Sequence, residues 1–241
     1  MRPLVLLALL AAPAAFGQSF TLDAGVLGVT VRPIPSTKVA PLRPNEKPAG
    51  AMPAHAAATL AGGAVREGRI DVVDVEAWKA LFANAGDAKR ACVTSPVAGL
   101  AMCMDAPLCS VSTDCLAGCP DAYAPFLMWA RPVKFQNGTG WLYVATWLAG
   151  PVSPSNEALE IGYQGLTDDR RTWVGLSIRA SVDGFTQRRG TVERDPQKQR
   201  RREEAAVELL RKLGEEAVKP SLADVAAVLR TLRVGGAARP N

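Results

Sequence analysis

One histidine, His55, is all that the 241 residues contain. A Ser-His or Cys-His nucleophile needs a histidine placed as its base. Here the only one falls in a proline-rich stretch, which argues against that chemistry. There is no G-x-G-x-x-G and no Walker loop, so no nucleotide-binding reading survives. There is no C-x-x-C pair either. Cys115-Leu-Ala-Gly-Cys119 is one residue too long for a redox dithiol, and no histidine lies nearby to complete a zinc site. Lysine is scarce beside arginine, alanine, glycine and proline, a composition that suits a GC-rich bacterial genome. Past the first dozen residues no stretch is apolar enough for a membrane span, which needs about 20 residues. These gaps leave no cofactor or metal implied.

What is present points to export. Apolar residues make up 48% of the chain, enough for a real core in one domain of ordinary size. Arg2 supplies a positive start, Leu4 to Ala12 is an unbroken apolar run, and Ala15-Phe16-Gly17 puts small residues where a signal peptidase reads. Cleavage is therefore expected before Gln18. No cysteine follows the run, which excludes lipid attachment at a new N-terminal Cys. The expected location is the periplasm or the extracellular space. Five cysteines crowd one window: Cys92, Cys103, Cys109, Cys115 and Cys119. In an oxidising compartment clustered cysteines pair, and an odd number suggests two bridges and one leftover thiol, with the pairing open.

The rest of the chain divides by composition. Residues 18–68 read as an N-terminal segment, with one strand around Gly25 to Val31, and a Pro/Ala-rich linker. Pro33, Pro35, Pro41, Pro44, Pro48 and Pro53 remove backbone donors, so neither helix nor sheet is expected to run through it. Order resumes at Arg69, and 69–234 read as a single domain. Ile70, Val72, Val73 and Val75 suit a strand. Asp74 can cap a helix carrying Trp78, Leu81 and Phe82 on one stripe, ended by Gly86. The window 92–119 is expected to be a disulfide-stapled loop. Phe126 to Gln136 and Trp141 to Leu148 flank Asn137-Gly138, a hairpin signal whose two positions tolerate positive φ. Trp141, Tyr143, Ala145 and Trp147 share one face of the returning strand, and an overlying helix is the better reading than a ligand platform. Ala158 to Gln164 and Arg171 to Ala180 form a second hairpin, with Val174, Leu176 and Ile178 facing the core. C-terminal helices fill 195–234: Asp195 caps the first with Pro196 at its start, and Ser221 forms a capping box with Asp224 at the second. Residues 235–241 read as a tail.

Several stretches taken together resemble a group of exported bacterial proteins. Phe135-Gln136-Asn137-Gly138-Thr139-Gly140 matches the group's N-G-x-G hairpin, and Tyr163-Gln164-Gly165-Leu166-Thr167-Asp168-Asp169 its Y-x-x-Q-G-L-T-x-D-G-like hairpin. Pro220-Ser221-Leu222 matches its C-terminal P-S-L-x-x-L-like helix. The likeness covers roughly residues 69–234. No activity, cofactor or catalytic residue is attached to the group, so the resemblance implies an exported α+β domain and no site. Arg170 stands where the group's turn glycine is expected, and the cysteine window looks like an addition.

The expected fold is α+β: an antiparallel sheet of about four strands with helices packed on one side. One charged feature stands out. Arg188, Arg189, Arg194, Lys198, Arg200, Arg201 and Arg202 form a candidate anion-binding patch, set against a solvated helix start balanced by Glu203, Glu204 and Glu208. Asp168 and Asp169 read as turn residues, and Asp71, Asp74 and Glu76 as strand-end and cap residues. The function expected from this is a non-catalytic binding or scaffold domain of the bacterial envelope, with an anionic component or another envelope protein as partner. Nucleic acid is excluded by export. The alternative is a hydrolase using Asp or Glu residues that the fold assembles.

Overall fold

A computed structural model describes residues 18–35, 52–84, 97–98, 100–101, 126–146, 154–185 and 195–235. Eleven strands occur among them: β1 (Ser19–Thr21), β2 (Thr30–Ile34), β3 (Ala56–Gly62), β4 (Val65–Asp74), β5 (Leu127–Phe135), β6 (Gly138–Thr146), β7 (Leu159–Thr167), β8 (Thr172–Arg179), β9 (Ser181–Val182), β10 (Val218–Lys219) and β11 (Arg233–Gly235). The helices are α1 (Val75–Leu81), α2 (Pro196–Leu213) and α3 (Leu222–Thr231). Seven strands form one antiparallel sheet in the order β2-β3-β4-β8-β7-β6-β5, and two small sheets pair β1 with β11 and β9 with β10.

The expected α+β domain with about four strands is therefore corrected to a mostly β fold. The missing strands come largely from the segment read as a linker, since β2, β3 and the start of β4 lie between residues 30 and 68. Proline does not stop them because it falls where a strand tolerates it: Pro33 sits on β2, an edge strand of the sheet. Pro132 sits likewise on β5, the other edge. The five cysteines, residues 1–17 read as a signal peptide, Gly86 and Trp147 lie outside the described residues.

Both faces of the sheet are covered, which also corrects the expectation of helices on one side. The first face carries the larger core. Ile70, Val72, Val174, Leu176, Ile178, Ile161, Tyr163, Leu142 and Val144 join Ala206 and Leu210 of α2 and Leu222, Val225 and Leu229 of α3 in one buried cluster. Alternation along each strand puts these positions on one side. The buried Tyr163 hydroxyl donates to the Val133 carbonyl at 3.1 Å, and its burial raises its pKa well above the phenol range. On the second face α1 lays Trp78, Leu81 and Phe82 against Val73, Leu166 and Trp173. The caps are those expected: Asp74 accepts from the Ala77 amide at 2.7 Å, Asp195 from Gln197 at 2.9 Å, and Ser221 from Asp224 at 3.1 Å.

Two hairpin details differ from expectation. In the first hairpin Gly138 already pairs with Phe135, so the turn is Gln136-Asn137, and neither Asn137 nor Gly138 has positive φ. Gly138 is required for another reason: a Cβ there would meet the Phe135 ring and the Leu166 carbonyl. Asn137 uses its side-chain amide to grip the C-terminal strand, donating to the Val234 carbonyl at 2.7 Å and accepting from the Val234 amide at 3.0 Å. In the second hairpin Arg170 takes φ +59°, the conformation the expected glycine would adopt freely. A left-handed non-glycine residue costs about 1–2 kcal/mol. Arg170→Gly is expected to raise stability by about 0.5–1 kcal/mol, after the extra chain entropy of glycine is subtracted. A thermal melt checks it, and an unchanged or lowered midpoint would refute the turn assignment.

Candidate functional site

The most concentrated polar chemistry lies on the second face, where β3 and β4 pair. The register sets Ala57 opposite Asp71. His55, two residues before Ala57 on the same side, is thereby brought diagonally onto Asp71. Its Nε2 lies 2.8 Å from Asp71 Oδ1. Its Nδ1 lies 2.6 Å from the Pro53 carbonyl. Arg69, two positions before Asp71 and so on the same side, donates from Nε to both carboxylate oxygens at 2.9 Å.

Asp71 is buried between these two donors. Burial pushes its carboxyl up, but the hydrogen bonds from His55 and Arg69 and the charge of Arg69 outweigh that and hold it below the ordinary carboxylate value. Arg69 is raised in return, chiefly by its hydrogen bond to Asp71. The arrangement is a clasp. It ties residues 53–55 to the interior strand β4 through one carboxylate.

The polar lane continues across the sheet. Gly175 stands opposite Asp71, and Gln164 opposite Gly175. The Trp173 indole lies over Gly175, and the Tyr143 ring over Gly162, because neither glycine has a side chain to keep them away. Gln164 Nε2 donates to the Tyr143 hydroxyl at 3.4 Å. Burial first, and then the charge of Glu160, raise the Tyr143 phenol far above its ordinary range, with the Gln164 hydrogen bond working against them. Tyr143 therefore stays protonated at neutral pH and is no base.

Elsewhere the carboxylates are engaged locally. Asp169 accepts from the Thr167 hydroxyl at 2.6 Å and from the Arg171 amide at 3.1 Å, and these bonds hold its carboxyl below the usual range. It borders a cleft of about 220 Å³ with Asn137, Thr167, Asp168, Thr172 and Val234. Asp168 and Asp169 are turn residues, as expected. Of the candidate anion patch, Lys198, Arg200, Arg201 and Arg202 lie exposed on the first two turns of α2. Arg200 pairs with Glu204 at 3.0 Å. Arg188, Arg189 and Arg194 lie outside the described residues. Trp141 packs against the second-face cluster beside α1. No group of three or more His, Cys, Asp or Glu side chains is placed to hold a metal ion among the described residues. None of the described helices is long and apolar enough to cross a membrane.

The sequence reading passed over His55 by placing it in a linker, and read Asp71 as a strand-end residue. One signal for the pair was available. Arg69 and Asp71 alternate with Ile70 and Val72, so both polar side chains had to share the face opposite the core. What faces them across the sheet is set by register alone. No protein-family model, curated protein or solved structure matches the chain, so the site stands on its own geometry.

Proposed function

We propose that the chain is an exported bacterial envelope protein whose folded domain is a non-catalytic binding or scaffold module for an anionic envelope component. The observation that carries the non-catalytic reading is the commitment of His55. A histidine acting as general base keeps one nitrogen for its substrate or nucleophile. Here one nitrogen meets Pro53 and the other Asp71. The hydrolase alternative draws little support, because Asp74, Asp195 and Asp224 serve helix starts and Asp169 closes a turn. The export reading rests on the leader-like order of Arg2, the apolar run Leu4 to Ala12 and Ala15-Phe16-Gly17. The resemblance of the two hairpins and the last helix to an exported group points the same way.

The partner class comes from α2. Its first turn holds no acidic residue, and Lys198 and Arg201 are exposed on its first two turns. The test is co-sedimentation of the mature chain with vesicles of phosphatidylglycerol against vesicles of phosphatidylcholine. Binding is expected only to the former and is expected to weaken as salt shortens the Debye length below ~8 Å. Each basic residue near an anionic surface is worth about 1 kcal/mol, so K198E with R201E is expected to weaken binding by at least roughly thirtyfold. Equal affinity for both vesicles, or a double variant that binds unchanged, would refute the anionic-partner assignment.

A further inference from the structure

We infer that the fold times its own maturation: cleavage behind Gly17 has to precede the docking of β1 on β11, and a chain that folds first keeps residues 1–17. The inference rests on the proposed export and deepens it by selecting the route. The chain crosses the membrane unfolded and is cut before its last strand is in place.

Three observations carry it. The first is how soon the fold starts behind the bond to be cut. Ser19, two positions after Gly17, already stands opposite Gly235, Phe20 opposite Val234 and Thr21 opposite Arg233. Phe20 and Leu22 are buried in the main core. A peptidase takes the chain on both sides of its scissile bond in extended form, much as a sheet edge takes a strand. The residues behind Gly17 cannot be lifted into such a cleft while Phe20 and Leu22 stay in the core. The second observation is that the clamp is held from outside β1. The Asp23 amide donates to Thr231 Oγ1 at 2.9 Å, and Asn137 grips Val234 through both its side-chain oxygen and nitrogen. Undocking β1 therefore means leaving a fixed partner strand as well as the core.

The third observation is the order in which the partners arrive. β11 is the last strand of the chain, and Asp23 meets Thr231 across 208 positions. At the usual 5–20 residues per second of synthesis, the start of the chain waits roughly 10–40 s for its partner strand. In that interval the bond behind Gly17 is open to a peptidase. Residues 1–17 carry one arginine, Arg2, and lack the R-R pair of the twin-arginine signal that sends folded cargo across a membrane. The step itself is hydrolysis. The bond between the Gly17 carbonyl carbon and the Gln18 nitrogen breaks, and water supplies the hydroxyl of the new carboxyl and the proton of the new amine.

The test uses the full chain with residues 1–17 attached, half of it refolded and half held in urea until the assay. Both halves meet purified bacterial signal peptidase in detergent micelles, and the products are read by intact mass. The unfolded half should be cut between Gly17 and Gln18. The refolded half should be cut at least tenfold more slowly, which corresponds to about 1.4 kcal/mol of undocking. A second chain carries about ten Gly and Ser residues between Gln18 and Ser19, a flexible spacer that moves the bond clear of β1 and leaves the sequence before it intact. That chain should be cut as fast folded as unfolded. A refolded natural chain cut as fast as the unfolded one, or a spacer chain as resistant as the natural one, overturns the timing and leaves export standing. An unfolded chain that is not cut behind Gly17 overturns both.

Discussion

Trp78→Ala is expected to destabilise the domain by about 3–5 kcal/mol, the range for removing a large buried aromatic side chain. Trp78 is 1% exposed and lies 5.0 Å from Trp173, ring centre to ring centre, at a tilt of 60°. Truncation would empty the centre of the second-face cluster and strip one wall from Trp173. The seven-residue helix α1 cannot hold itself, since isolated helices shorter than roughly 12 residues are marginal in water. Its stability comes from this docking, so the loss should appear as a cooperative shift in urea unfolding. Trp78→Phe, which keeps a ring in the cluster, should recover part of it. A shift below about 1 kcal/mol for the alanine variant would mean that α1 does not anchor the second face.

Asp71→Ala is the second large effect, expected at about 2–3 kcal/mol. It removes the common acceptor of His55 and Arg69. His55 keeps only 13% side-chain exposure and is left facing a gap, whereas Arg69, at 49%, can turn to water. That escape brings the cost to or below the lower end, about 3 kcal/mol, of what a broken buried ion pair entails. The double-mutant cycle of His55→Ala with Asp71→Ala should give a coupling of about 1–3 kcal/mol. The pH dependence has a definite sign. Asp71 titrates lower in the fold than in the unfolded chain. Its contribution is thus complete above the unfolded carboxyl value and disappears as pH falls through the depressed folded value. The gap in stability between wild type and Asp71→Ala should therefore close in acid. Additive single variants, or a gap that widens in acid, would contradict the clasp.

Much of the architecture could be read directly. The strands β5 to β8, the core face of Val174, Leu176 and Ile178, and the caps Asp74, Asp195 and Ser221 all follow from alternation, β-branching and short polar side chains at helix starts. Asn137-Gly138 marked a hairpin correctly for an incorrect reason. The glycine makes room for Phe135 rather than supplying a left-handed turn. The linker reading failed because proline was counted without regard to strand position. On an edge strand, a missing N–H costs no ladder bond if it faces solvent.

By itself the sequence determined which segments alternate, where helices start, and that the first residues have the pattern of an address for export. Those are local properties, carried by neighbours within a few positions of one another. Only the tertiary structure decided that the sheet has seven strands, that both its faces are covered, and that His55 meets Asp71 from 16 residues away. Pairing partners are chosen by register between distant segments. A one-residue slip there would move Asp71 to the core side and dissolve the clasp without changing a single local preference.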